Sequence, residues 1–260
     1  EEQTSDLWIA LTDGSTEPRK LTNTKGGEDN YQWSPTSDRI YFTAKRDGDE
    51  APQLYVLSLA GGEAQRLTNL STGLSDVKFS ADGSRILFSS RVLPTAFTDS
   101  ASKKLAEEKK KIKTKARVYQ SFPVRYWDAW LDEKQGHIFT MELHSGAQPL
   151  NLMKEVSLVQ SPGFRLGSFD FGPDGKSVVF TATTEYHTTA YQSAKSNIYT
   201  LSLFGGKESV LVNDETDYGA VSYTEDGKYL VATGSAIGNK LYYLIESIDL
   251  MCRIIWPKKN

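Results

Sequence analysis

One cysteine, Cys252, in 260 residues rules out an internal disulfide framework and leaves the compartment open. Histidine is almost as scarce, with only His137, His144 and His187, and no His/Cys cluster has the spacing of a metal site, so no metal or other cofactor is expected. No run of about 18 apolar residues is present to cross a membrane as a helix. No glycine-rich loop opens a helix to cradle phosphate, and no serine has glycines at both −2 and +2, so the nucleophile elbow of a serine hydrolase is missing from these residues. The net charge of −3 gives no reason to expect nucleic acid as a partner.

What is abundant is repetition. Residues 33–42 read WSPTSDRIYF, 79–88 FSADGSRILF, 171–180 FGPDGKSVVF and 223–231 YTEDGKYLV. Each is an aromatic, a turn with Asp-Gly or a close variant, then an apolar run rich in β-branched and aromatic types, which predicts a β-hairpin. A second pattern alternates with the first: LWIALTDG (7–14), LYVLSLAGG (54–62), IFTMELHSG (138–146) and IYTLSLFGG (198–206), each followed by a short strand. Asp82, Asp174 and Asp226 recur because turns favour Asp, not as paired catalytic carboxylates. Two hairpins give a four-stranded antiparallel unit of about 45 residues, which cannot bury its faces alone and must stack on its like. The expected fold is therefore an all-β propeller.

The expected organisation is a single propeller domain or fragment over 1–260. It has a half blade at 6–22, blades at 28–68, 73–152 and 164–212, and a partial blade at 217–250. Two closures are open: a tight ring of about four blades, with Leu7–Leu11 and Lys20–Thr22 completing the last sheet, or an open arc whose end faces another copy covers. The arc is favoured, because blade cores shaped for a larger ring would not fit a tight one. The second blade carries an insertion at 91–136. Its stretch SASKKLAEEKKKIKTKARVY is helix-like, and Lys103 to Arg117 holds eight basic and two acidic residues. A solvated, mobile excursion is the expected reading of that charge run. Trp8 and Trp33 are expected to pack between blades, and Phe122–Trp130 against them.

Within the insertion, Arg125-Tyr126-Trp127-Asp128 with Trp130 precedes the strand HIF. This segment, preceded by a basic stretch and Tyr119, resembles the N-terminal propeller of prolyl oligopeptidase-family serine peptidases, in the acylaminoacyl-peptidase and dipeptidyl-peptidase-like branch. Those proteins carry Arg-His-Trp-Asp at this place, and Tyr126 stands where the His usually does. TolB-like propellers share the Ser-Pro-Asp-Gly hairpins. The resemblance implies a propeller that filters peptide substrate for a separate α/β-hydrolase domain, which these residues do not contain. It makes Arg125, Tyr126, Trp127, Asp128 and Trp130 either peptide-contacting residues or anchors of the inserted loop. The alternatives are a TolB-like periplasmic protein-binding propeller and an enzyme using the central channel. A periplasmic or secreted bacterial location is expected, with the cytoplasm left open. The chain opens without a signal peptide, as a processed start would, and the loss of pattern after Glu246 is what a frameshift or truncation would produce.

Overall fold

The computed structural model describes residues 5–114, 119, 123–126, 128–144, 146–189, 192–237 and 251–255. Its described strands fall into five successive antiparallel sheets and one small separate hairpin. The leading pair is β1 (Trp8–Ile9) with β2 (Arg19–Lys20). The first blade is β3 (Glu28–Trp33), β4 (Arg39–Ala44), β5 (Gln53–Ser58) and β6 (Gln65–Arg66), paired in that order. The second runs through β7 (Ser75–Phe79) and β8 (Arg85–Val92), then helix α1 (Asp99–Lys111) and a small hairpin, β9 (Arg125–Tyr126) with β10 (Ala129–Trp130). It is completed by β11 (Gln135–Glu142) and β12 (Leu150–Asn151). The third is β13 (Arg165–Phe171), β14 (Ser177–Thr183), β15 (Asn197–Ser202) and β16 (Ser209–Val212). The terminal sheet is β17 (Thr216–Tyr223), β18 (Leu230–Ala236) and β19 (Met251–Ile255). These are propeller blades. The terminal sheet takes its third strand from Met251–Ile255, beyond the end set for it from sequence, while Leu241–Ile245 lies outside the described residues. β1 and β2 pair with each other, and among the described residues nothing pairs them with the terminal sheet.

Alternation of side chains along each strand decides which joint a residue fills. On β8, Ile86 and Phe88 enter the core shared with the first blade, and Leu87 enters the core shared with the third. On β14, Val178 and Phe180 face the second blade and Val179 faces the terminal sheet. The third strands behave alike: Leu54, Ile138 and Ile198 face forward, while Tyr55, Phe139 and Tyr199 face back. Strands buried on both faces must read as nearly continuous apolar runs, and IYF, ILF and VVF do so. Stacked aromatic pairs within the blades, Phe42 with Tyr55, Phe88 with Phe139 and Phe180 with Tyr199, repeat the same contact three times. Between the second and third blades the chain adds two short 3-10 turns, Leu152–Glu155 and Ser157–Gln160, which bury Leu152, Met153, Val156 and Val159 in the joint.

The four Asp-Gly-type turns share one hydrogen-bond pattern. The residue after the aromatic donates its N–H to a carbonyl five residues on, as Ser80 does to Arg85 at 2.9 Å. Only the fourth residue after the aromatic takes a positive φ: Gly83 (67°), Gly175 (62°), Gly227 (66°), with Ser37 (55°) in the first blade. The Asp itself serves as an acceptor, with Asp82 Oδ1 taking the Ser84 N–H at 3.0 Å. Hydrogen bonds from Ser80 and Ser84 hold the Asp82 carboxyl down to about 2. At two turns the glycine also meets the preceding blade. A Cβ on Gly83 would lie 2.5 Å from Pro35 Cγ, and one on Gly227 2.5 Å from Pro173 Cβ. Gly175, whose counterpart on the second blade is Ala81 rather than proline, has open space.

Candidate functional site

The first strands of successive sheets are neighbours, β3 with β7, β7 with β13 and β13 with β17, so they form the inner edge of the blade series. Each carries an irregularity in pairing at the same place: between Asp29 and Gln32, Ser75 and Lys78, Leu166 and Phe169, and Tyr218 and Val221. A bulge leaves backbone groups without ladder partners. Here a hydroxyl ten residues after each repeat aromatic takes them up. Thr43 donates to Asp29 O at 3.0 Å, Ser89 Oγ reaches Ser75 O at 3.4 Å and also donates to the Asp76 carboxylate at 2.6 Å, and the N–H groups of Ser168 and Ala220 donate to Thr181 and Thr233 at 3.0 and 2.8 Å. Asn30 and Asp76, at the bulges of the first two blades, hold φ of 50° and 51°, which Asn and Asp tolerate better than other side chains. The signal for this device, a Ser or Thr at a fixed offset from Trp33, Phe79, Phe171 and Tyr223, is present in the sequence, but the hairpin reading passed over it.

The inner edge is stitched between blades by polar contacts. Gln32 Nε2 donates to Val77 O at 3.1 Å, Thr181 Oγ1 to Gly219 O at 2.9 Å, and Ser222 Oγ to Asp170 Oδ2 at 2.5 Å. Acidic residues predominate there, with Asp29, Asp76, Asp170 and Asp217 on the four inner strands. The inner edge thus presents a row of hydroxyl, amide and carboxylate groups along four bulged strands.

The residues singled out from sequence sit on a different part of the second blade. They lie between β8 and β11, at the end of the blade away from the Asp-Gly turn. α1 begins with Thr98 accepting the Ala101 N–H at 3.2 Å. It is held to the linker before β7 by Asp99, whose Oδ1 accepts from Ser71 N and Oγ at 2.7 and 2.8 Å. The β9–β10 hairpin pairs Arg125 with Trp130. The Arg125 guanidinium stands 6.0 Å from the Trp130 ring centre, and the Tyr119 ring centre lies 6.2 Å from it, the two rings inclined by 30°. The Tyr119 hydroxyl donates to Leu131 O at 2.9 Å. Ion pairs Lys109–Glu133 (2.6 Å) and Arg91–Asp132 (2.7 Å) tie the segment to α1 and β8. Arg125 and Asp128 are exposed, and Trp130 is 57% exposed. The expectation that Phe122–Trp130 packs on the blades therefore fails at Trp130, whose ring meets, among the described residues, Tyr119 and Arg125 of its own insertion. Phe122 and Trp127 lie outside the described residues, and of Tyr126 only the strand backbone is described. The charged half of the insertion is helical over Asp99–Lys111, as its composition indicates.

Trp8 and Trp33 also depart from expectation, at 59% and 51% exposed. Leu7 faces the first blade, so Trp8 faces away from it, and among the described residues no inner strand is paired or packed ahead of β3 beside Trp33.

Titratable groups elsewhere are structural. His137 is fully buried, stacks on Phe97 and accepts from Asn151 Nδ2 on Nδ1 at 3.0 Å; burial holds its pKa down to about 4. His144 is a surface partner of Glu142 at 3.0 Å. Asp49, whose side chain is almost wholly buried, receives Tyr55 Oη at 2.6 Å and Arg66 at 2.7 Å; burial and that hydrogen bond raise the Tyr55 pKa to about 12. Among the described residues no three His, Cys, Asp or Glu side chains gather as a metal site would require. A groove of about 260 Å³ lined by Arg85, Glu142, His144 and Leu150 is smaller than the few hundred Å³ usual for small-ligand pockets. The void beneath α1, at about 10 Å³, holds no more than a single water.

Comparison with known proteins adds a family signal to this geometry. Residues 3–93 match the dipeptidyl peptidase IV (DPP IV) N-terminal region. Over 180 residues the chain is 28% identical to the uncharacterized peptidase YuxL of Bacillus subtilis (strain 168). The chain resembles the N-terminal propeller of prolyl oligopeptidase-family peptidases. The YuxL alignment takes in 69% of this chain and 25% of that protein, so the chain spans about a quarter of the length of the curated relative it matches. Among solved structures, an oligogalacturonate lyase in complex with manganese superposes with a TM-score of 0.58 (13% identity, 90% of this chain, 54% of that one). The Pyrococcus horikoshii acylaminoacyl peptidase gives 0.53 (12%, 89% and 31%), and TolB from Acinetobacter baumannii 0.50 (16%, 97% and 49%). At these identities the superpositions show the propeller fold, shared by a peptidase, a lyase and TolB alike.

Proposed function

We propose that this chain is the peptide-facing propeller portion of a prolyl oligopeptidase-family serine peptidase, admitting peptide to a hydrolase domain that these 260 residues do not include. The match of residues 3–93 to the DPP IV N-terminal region carries the reading. The inner edge supports it: bulged strands with Asp29, Asp76, Asp170 and their hydroxyl partners suit an extended backbone better than a compact ligand. Arg125 and Trp130, exposed on the hairpin, are the proposed second contact.

Photo-crosslinking with N-acetylated oligopeptides carrying benzophenone tests this. Adducts are expected on the inner strands and on β9–β10, weakened severalfold by Trp130→Ala. The chain alone should neither cleave acyl-amino-acid anilides nor take up a fluorophosphonate label. Stoichiometric labelling of a serine would overturn the reading, as would capture of folded proteins with no adduct to short peptides, which is the behaviour of a TolB-like binding platform.

A further inference from the structure

Arg165 opens the inner strand β13, and its guanidinium carbon lies 3.7 Å from the centre of the Tyr186 ring. At that distance the planar group is stacked on the ring face, which fixes its orientation and leaves its N–H edges uncovered. The residue is exposed, and among the described residues no carboxylate pairs with it and no acceptor takes its N–H groups. Asp217, at the matching place on β17, accepts the Ser196 N–H at 2.9 Å instead.

The ring beneath the guanidinium is itself anchored. Tyr186 begins the 3-10 turn Tyr186–Thr188, and its N–H donates to Gly163 O at 3.0 Å, where Gly163 and Glu185 form a parallel bridge. Ser161 Oγ adds a bond to Thr184 O at 3.0 Å. Residue 163 has to be glycine for this docking, because a Cβ there would collide with His187 Nδ1 and the Thr184 carbonyl. The platform is therefore built before any ligand arrives, which lowers the ordering cost of binding. Its surroundings are acidic: the four inner strands carry five acidic residues and two basic ones, Lys78 and Arg165. A Cβ on Gly136 would lie 3.5 Å from Leu166 Cβ, so β13 starts beside the start of β11, at the end of the blades where the insertion emerges.

We propose that Arg165, held flat on Tyr186, binds a carboxylate of the peptide, either its C-terminal group or an acidic side chain, through two parallel N–H···O bonds. The planar fork matches a planar carboxylate, and a cation at the end of a mainly acidic row gives the extended chain a direction. The assignment rests on the peptide-facing reading above and adds to it the charge of the ligand.

Fluorescence anisotropy with three N-acetylated pentapeptides carrying one uncharged dye separates the two. The first is neutral and C-terminally amidated, the second is the same peptide with a free C-terminal carboxylate, and the third is the amide with one internal Glu. The second or the third should bind about tenfold more tightly than the first, and which of them gains identifies the source of the carboxylate. Arg165→Gln, an exposed change expected to leave the melting temperature in place, should erase the gain while the neutral probe binds as before. Arg165→Lys keeps the charge without the fork and should retain less than about a third of the gain. Equal binding of all three probes would overturn the carboxylate site and leave the peptide-facing reading standing, as would a gain that survives Arg165→Gln. A full gain in Arg165→Lys would overturn the paired-bond geometry. Binding of none of the probes would overturn both readings.

Discussion

The joint between the first and second blades differs from the joint between the second and third, although both are built from the same repeat. The former is formed by Leu54, Val77, Ile86, Phe88 and Phe139, and by the strand alternation His137 is on the same face as Phe139. In the latter the 3-10 turns insert Leu152, Met153, Val156 and Val159 between the sheets, beside Phe169, Phe180 and Tyr199. Its rim also lacks the proline-on-glycine contact. A repeat thus fixes which faces meet, while the linker that follows each blade fixes what fills the gap.

The sharpest way to break the comparison is to hollow the apolar joint. Phe180→Ala removes a wholly buried ring stacked on Tyr199, and a loss of about 3–5 kcal/mol is expected in urea unfolding. An effect near zero would mean that the 3-10 turns, not the blade face, hold this joint.

Acid should find the other joint. The His137 pKa lies at about 4 in the fold against 6.5 unfolded, because burial outweighs the Asn151 hydrogen bond. The unfolded chain therefore binds a proton between those values and the folded one does not. Stability is full above about 6.5, falls as the pH drops toward 4, and levels off below, a loss of about 3 kcal/mol at 1.36 per pKa unit. His137→Leu should remove that slope, even though it leaves the Asn151 amide without its acceptor. A slope unchanged in the variant would locate the proton uptake elsewhere.

The smallest expected effect isolates the rim contact. Gly175→Ala and Gly227→Ala force the same left-handed backbone, at about 1–2 kcal/mol each. Only the second also drives a methyl into Pro173, for roughly 1–3 kcal/mol more. Equal melting temperatures for the two variants would show that Pro173 simply moves aside.

The blade series was legible in the sequence because its signals are local: apolar alternation, β-branched runs and Asp-Gly turns all act within about ten residues. What was not legible depends on neighbours. Nothing in the composition of LWIALTDG says that Leu7 rather than Trp8 will face the first blade, since that depends on how β1 docks on Ile40, Phe42 and Tyr55. Trp130 was misplaced for a similar reason, because an aromatic residue on a two-residue strand has only the partners its hairpin provides. At the candidate site, Arg125 and Trp130 are brought together as the sequence grouped them. The bulge hydroxyls Thr43, Ser89, Thr181 and Thr233 escaped notice because their role appears only when strand pairing is known.

The seating of Pro35 on Gly83 and of Pro173 on Gly227, with nothing comparable between Ala81 and Gly175, has a mechanical consequence. At the rim of turns the first and second blades are coupled, as are the third blade and the terminal sheet, and the seam between these two pairs has no such coupling. A load that spreads the inner strands, such as a polypeptide entering between them, would bend the assembly at that middle seam. There the compliant side chains of Leu152 and Met153 can repack, while each pair swings as a unit.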